Sequence, residues 1–148
     1  MHSFTHCLLH CVFTTHRREP WLTPDIRERL WPYLGGIARE NKMRALATGG
    51  VSDHLHVLLS LPSTLSIAKA MQLVKGNCSK WIHETFPKLL GFAWQEGYGA
   101  FSIGVSGVDD TIAYIRGQEK HHRTRTFREE FMAFLQRHEI PFEDHMLD

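Results

Sequence analysis

The stretch Asp53-His54-Leu55-His56-Val57-Leu58-Leu59-Ser60 constrains the fold more than any other part of the chain. Its apolar residues alternate with others, the pattern of a half-buried strand. Side chains on a strand point alternately to opposite faces, so Leu55, Val57 and Leu59 enter a core while His54 and His56 share the other face. Two imidazoles at this spacing can close on one metal ion. In a chain with 11 histidines, they can equally be ordinary surface residues.

The elements around this strand follow from local signals. Phe4 to Thr15 reads as a first strand, ended by the basic, proline-marked turn His16-Arg17-Arg18-Glu19-Pro20. Thr23 is placed as a helix N-cap, with Pro24 at the first helical position and Asp25 in the first turn. Ile26, Leu30, Leu34 and Ile37 then make one apolar stripe in a helix to about Asn41, which Pro32 and Gly35-Gly36 should bend or interrupt. Met43 to Thr48 is a second strand, Gly49-Gly50 a turn, and Val51 to Leu61 the third strand, a hairpin by their close spacing. Ser66 caps a helix to about Phe86, with Met71, Val74, Cys78 and Ile82 inward, and Pro87 ends it.

Phe92 to Ser106, broken by glycines, is a bent fourth strand. Asp109-Asp110 opens a helix to about His122, and Phe127 to His138 is a last amphipathic helix. The order strand, helix, strand, strand, helix, strand is that of a ferredoxin-like split βαβ unit. The expected fold is therefore α+β: a four-stranded antiparallel sheet with helices on one face, extra C-terminal helices, and the histidine face left open.

At 148 residues, 43% hydrophobic and 22% charged, the chain suits a single domain spanning residues 1–148. Its apolar runs are too short to cross a bilayer, and the N-terminus lacks a signal-peptide pattern, so a cytoplasmic location with no membrane partner is expected. A formal charge of +1 does not advertise nucleic-acid binding, which leaves local clustering from Lys120 to Arg128 as the basic surface. Three cysteines fit a reducing compartment. On a strand, Cys7 and Cys11 stand roughly 13 Å apart, too far for a disulfide or a shared metal, so both are expected as buried strand residues. Cys78 is expected to be an incidental helix residue.

A second constellation gives the histidines meaning. On a helix, Tyr114 and Gln118 share a face, and His121 returns to it. A metal held by His54 and His56 and completed by Gln118 would polarise a phosphate and bring it to Tyr114. By itself Tyr114 would be an amphipathic-helix residue with its ring packed and its hydroxyl in water. The His-x-His strand is what raises it above that.

The segments Asp-His-Leu-His-Val-Leu-Leu-Ser-Leu-Pro at 53–62, Leu-Val-Lys-Gly-Asn-Cys-Ser-Lys-Trp-Ile at 73–82, Ala-Tyr-Ile-Arg-Gly-Gln-Glu-Lys-His-His-Arg at 113–123 and Phe-Arg-Glu-Glu-Phe at 127–131 together resemble the small single-tyrosine HUH transposases of bacterial insertion sequences, a group that includes REP-associated tyrosine transposases. That resemblance implies a metal-dependent endonuclease and strand transferase acting on single-stranded, often hairpin-containing DNA. It implies His54 and His56 as paired ligands of magnesium or manganese, Gln118 as the third ligand, and Tyr114 as the nucleophile that forms a 5′-phosphotyrosine. A homodimer with shared active sites is also implied. Under the same resemblance Arg17, Arg18, Lys120, Arg123 and Arg125 would contact phosphates, and His121 and His122 are further candidates for metal or phosphate contact.

Three rivals stand beside it. A non-catalytic nucleic-acid binder on the same fold explains the basic cluster but not the shared face of Tyr114 and Gln118. A two-histidine phosphoesterase would need His83-Glu84-Thr85 outside a helix. A relative that processes chromosomal repeats without mobilising an element has the same residues as a transposase.

Overall fold

Residues 1–147 are described by the computed structural model. Four strands, β1 (Leu8–Thr14), β2 (Arg44–Gly50), β3 (His54–Ser60) and β4 (Gly99–Ile103), form one sheet in the order β2-β3-β1-β4. All three pairings are antiparallel. With α1 (Pro24–Glu40) between β1 and β2 and α2 (Ile67–Thr85) between β3 and β4, this is the α+β, ferredoxin-like arrangement expected from the element order. Three further helices follow: α3 (Val108–Arg116), α4 (Gln118–His121) and α5 (Phe127–Arg137).

The period-two pattern of β3 is realised as expected. Leu55, Val57 and Leu59 join Leu9, Cys11 and Phe13 of β1 in a core closed by Leu30, Leu34 and Ile37 of α1 and Met71, Val74 and Ile82 of α2. Each fully buried aliphatic side chain contributes roughly 1.5–3 kcal/mol here. This burial keeps α1 continuous through Pro32, whose ring lies on the exposed side, and through Gly35-Gly36. The expected interruption does not occur. Ser66 caps α2 by accepting from the Lys69 amide, and His83-Glu84-Thr85 lies in that helix.

Gly49-Gly50 is not the hairpin turn but the end of β2, paired with His56 and Leu55; residues 51–53 make the turn. The reason lies on the second face. A Cβ at Gly49 would stand 2.1 Å from the carbonyl oxygen of Ile115, so α3 crosses β2 where no side chain fits. Gly99 does the same for α5, whose Phe131 ring would lie 2.6 Å from an added Cβ.

Consequently the second face is covered, not open. Leu8, Ala47, Leu58 and Ile115 form one apolar cluster on it, and Val12, Phe101 and Leu135 form another with the α5 aromatics. Beside them His10, His54 and His56 are at most 2% exposed. Two other expectations change. β1 begins only at Leu8, leaving Cys7 exposed, and β4 is shorter because Lys75 takes the carbonyls of Gln95 and Gly97. Cys11 and Cys78 are buried free thiols, pushed up to about 12 by burial. Among the described residues no helix is long and apolar enough to cross a membrane.

Candidate active site

Three imidazoles are anchored from outside through Nδ1, so that each turns Nε2 inward. His54 Nδ1 lies 2.7 Å from Asp53 Oδ1, and His56 Nδ1 lies 2.8 Å from Nε2 of His10, which β1 places on the same face. His122, just past α4, sets Nδ1 2.9 Å from the Arg125 carbonyl oxygen. Such outer partners fix the tautomer and orientation of metal-binding histidines.

The inward atoms converge on Glu130, which α5 carries into the sheet at 1% exposure. Glu130 Oε1 is 3.0 Å from His56 Nε2 and 3.6 Å from His54 Nε2, and Oε2 is 3.3 Å from His122 Nε2. A capping box between Thr126 and Glu129 fixes the start of that helix.

Donor and acceptor chemistry tests whether this set suits a cation. A carbonyl oxygen has no proton to give, so His122 Nδ1 carries one and its neutral Nε2 is a bare lone pair. His54 is in the same state, donating to Asp53. Burial raises the Asp53 carboxyl, but the His54 bond and charge, with Arg18, outweigh it and leave it below its ordinary value. The two Nε2 atoms nevertheless stand 3.1 Å apart, with the Gln118 Oε1 3.1 Å from the second. Lone pairs at that separation repel one another unless a proton on His122 Nε2 or a metal cation lies among them. Atoms bound about 2.0–2.2 Å from one ion stand roughly 3.0–3.6 Å from each other, which matches these distances. His54, His56, His122 and Glu130 each offer one ligand atom, all within 4.8 Å of one another, so the set can hold a metal ion.

Burial, reinforced by His56, lowers His10 to about 3. Burial also lowers His56, against the opposing pull of Glu130. Glu130 would be raised by burial, but hydrogen bonds from His122 and His56 hold its carboxyl far below the usual range. The same Glu130 bond raises His122 despite burial.

Tyr114 of α3 donates its hydroxyl to Glu130 Oε2. Its ring stacks on His121 at 4.6 Å and meets His56 edge-on at 5.8 Å. Burial first, then Glu130, raise the phenol, so it keeps its proton on that carboxylate. The expected single helix to His122 is broken at Gly117, which caps α3. Gln118 therefore opens α4, buried, and reaches the cluster beside His122.

Of the basic residues expected at the site, Arg18, Arg123 and Arg125 line a pocket of about 660 Å³ over His54 and His122. Arg17 and Lys120 are exposed and lie outside that lining. A second pocket, of about 480 Å³, has Tyr114 and Glu130 in its wall. The sequence pattern does not single out Glu130 or His10. Glu130 did leave a signal: it falls on the apolar stripe of Phe127, Phe131 and Phe134, where a lone carboxylate needs partners.

The family model for IS200-like transposases matches residues 3–118. The IS200 insertion-sequence transposase of Salmonella typhimurium is 27% identical over 126 residues, covering 80% of this chain and 83% of that protein, and the Salmonella typhi transposase matches equally. Among solved structures, a candidate transposase from Deinococcus radiodurans R1 superposes with TM-score 0.66 at 21% identity, covering 78% of this chain and 92% of that one. A REP-associated tyrosine transposase bound to a REP hairpin gives TM-score 0.53 at 16% identity, covering 78% and 70%. These two share the fold. The match over residues 3–118 takes in the sheet, His54, His56 and Tyr114, and by it the chain belongs to the IS200-like transposase family.

Proposed function

We propose that the chain nicks and rejoins single-stranded DNA through a covalent bond to Tyr114. One observation carries this: the Tyr114 hydroxyl and the imidazoles of His56 and His122 all meet one carboxylate, Glu130, in a buried site. His54 and His56 would hold the ion, and Gln118, His122 and Glu130 are the side chains within reach to complete its shell. A bound divalent ion, magnesium or manganese, would supply positive charge to the scissile phosphate. Imidazole suits manganese better than magnesium.

The protein's own residues do the rest. Glu130 accepts the phenol's hydrogen bond and orients the Tyr114 oxygen for attack on phosphorus, the proton passing to solvent as the new bond forms. The bond to the 3′ oxygen breaks and that oxygen takes a proton from water, leaving a 5′-phosphotyrosine and a free 3′-OH, and a 3′-OH from another end reverses the step. Phosphodiester energy is kept in the intermediate, so no ATP is needed. Arg18, Arg123 and Arg125 neutralise phosphates over the site. The hairpin bound by the REP-associated relative supports a folded, hairpin-containing substrate. Tyr114 meets the cluster within its own chain, and a homodimer would place two such sites together.

The experiment is incubation of labelled single-stranded DNA from beside the gene with protein and manganese or magnesium, read on a denaturing gel. A covalent adduct should form and should vanish in Tyr114→Phe while DNA binding persists. Nicking that survives Tyr114→Phe would overturn the proposal.

A further inference from the structure

We infer that the pocket on the far side of Tyr114 is a subsite for the nucleotide that stays on the enzyme, the one 3′ to the scissile phosphate. This rests on the proposed nicking chemistry and adds a binding site to it. The two pockets are separate mouths of one site. His54 and His122 open only to the larger, Tyr114 and Glu130 only to the smaller, and of their lining residues the two share Arg125.

In-line displacement sets the direction of the strand. The attacking phenol oxygen and the leaving 3′ oxygen lie on opposite sides of phosphorus. The 3′ oxygen and its upstream chain therefore depart toward the imidazole side, where Arg18 and Arg123 line the wall. The downstream nucleotide remains bonded through its 5′ phosphate to Tyr114, beside the smaller pocket.

That pocket has the chemistry for it. Its volume of about 480 Å³ suits a small ligand. Arg125 and Arg137 bring cations, His138 an imidazole and Phe134 an aromatic ring. The acids facing them are Glu130, already engaged by two imidazoles and the phenol, and Asp110. Arg137 stands exposed in the last turn of α5 with no hydrogen bond or ion pair among the described residues. A guanidinium so placed matches the next phosphate along the strand.

The test uses 5′-phosphorylated trideoxynucleotides of mixed sequence, with 5′-hydroxyl counterparts, titrated into the full chain and followed by amide NMR shifts. The phosphorylated probe should shift Ser106, Gly107 and Arg137. Arg137→Ala, a surface change that spares the fold, should weaken it roughly tenfold, the loss of one charge-assisted bond. Lys88→Ala, an exposed charge in neither pocket lining, should leave this binding unchanged. Shifts confined to Arg18 and Arg123, or equal binding by Arg137→Ala, would overturn the subsite. The adduct assay separates the two ideas: an adduct without binding in this pocket sinks only the subsite, whereas binding here without any adduct sinks only the nicking chemistry.

Discussion

The two faces of the sheet are built from the same strands yet differ in what they bury. The α1/α2 face packs Leu55, Val57 and Leu59 among aliphatic side chains. The α3–α5 face packs His10, His54 and His56 against a carboxylate and a phenol, with one apolar cluster on either flank. One face needs nothing beyond exclusion of water. The other gathers titratable groups that can hold a cation, so its stability should depend on solution conditions.

Opposite substitutions should separate the faces. Leu34→Ala, at a fully buried site of the first face, should cost about 2–5 kcal/mol in urea unfolding and leave the stabilisation by added manganese intact. In the unmutated chain, manganese at a hundredfold over its Kd should add about 2.7 kcal/mol. His56→Ala should abolish that increment. An increment retained in His56→Ala, or lost in Leu34→Ala, would mean that the faces are not independent.

Acid should distinguish them next. His10 and His56 have lowered pKa values in the fold, so the unfolded chain takes up protons that the native chain refuses as pH falls below 6.5. The contribution of these two groups is full above that value and declines toward about 3, at up to roughly 1.4 kcal/mol per pH unit for each group. His122, raised by Glu130, acts on the other side of that value: its contribution is fully present below 6.5 and is lost as pH rises above it, so it leaves the acid slope unchanged. Glu130, depressed, adds to the loss below about 4.5. His10→Gln, whose amide can still hydrogen-bond His56 Nδ1, should flatten the slope between pH 6.5 and 4.5 when unfolding is followed in metal-free buffer. Identical slopes would show that His10 titrates normally.

The α1/α2 face was legible in the sequence because hydrophobic alternation reports directly on burial. Val57 between His54 and Leu59 leaves little freedom in register, and the strand order followed from element order. The other face was legible only in part. His54, His56 and Tyr114 stood out by residue type and spacing, but the closure of α3 over Gly49 depends on a contact 66 residues away, with Ile115, that no local pattern encodes. Gly49-Gly50 therefore read as a turn. Glu130 is legible only in part for a related reason: its place on the apolar stripe of Phe127, Phe131 and Phe134 shows that it needs partners, but those come from β3, from α3 and from the residue after α4, which nothing nearby in sequence names.

The smallest expected effect concerns how Glu130 is held. The Thr126 hydroxyl accepts from the Glu129 amide, and the Glu129 carboxylate reaches back to the Thr126 amide and hydroxyl. Thr126→Ala should cost about 1 kcal/mol, the usual worth of an N-cap. The cost falls on α5, whose first turn carries Glu130 under the imidazoles, whereas α1 and α2 pack on the other face of the sheet. Amide hydrogen exchange should therefore quicken in α5 while α1 and α2 stay protected, and manganese should bind more weakly by up to the same energy, about fivefold. Exchange that rises equally on both faces would show that α5 unfolds only with the whole chain, and that the second face is as much a part of the core as the first.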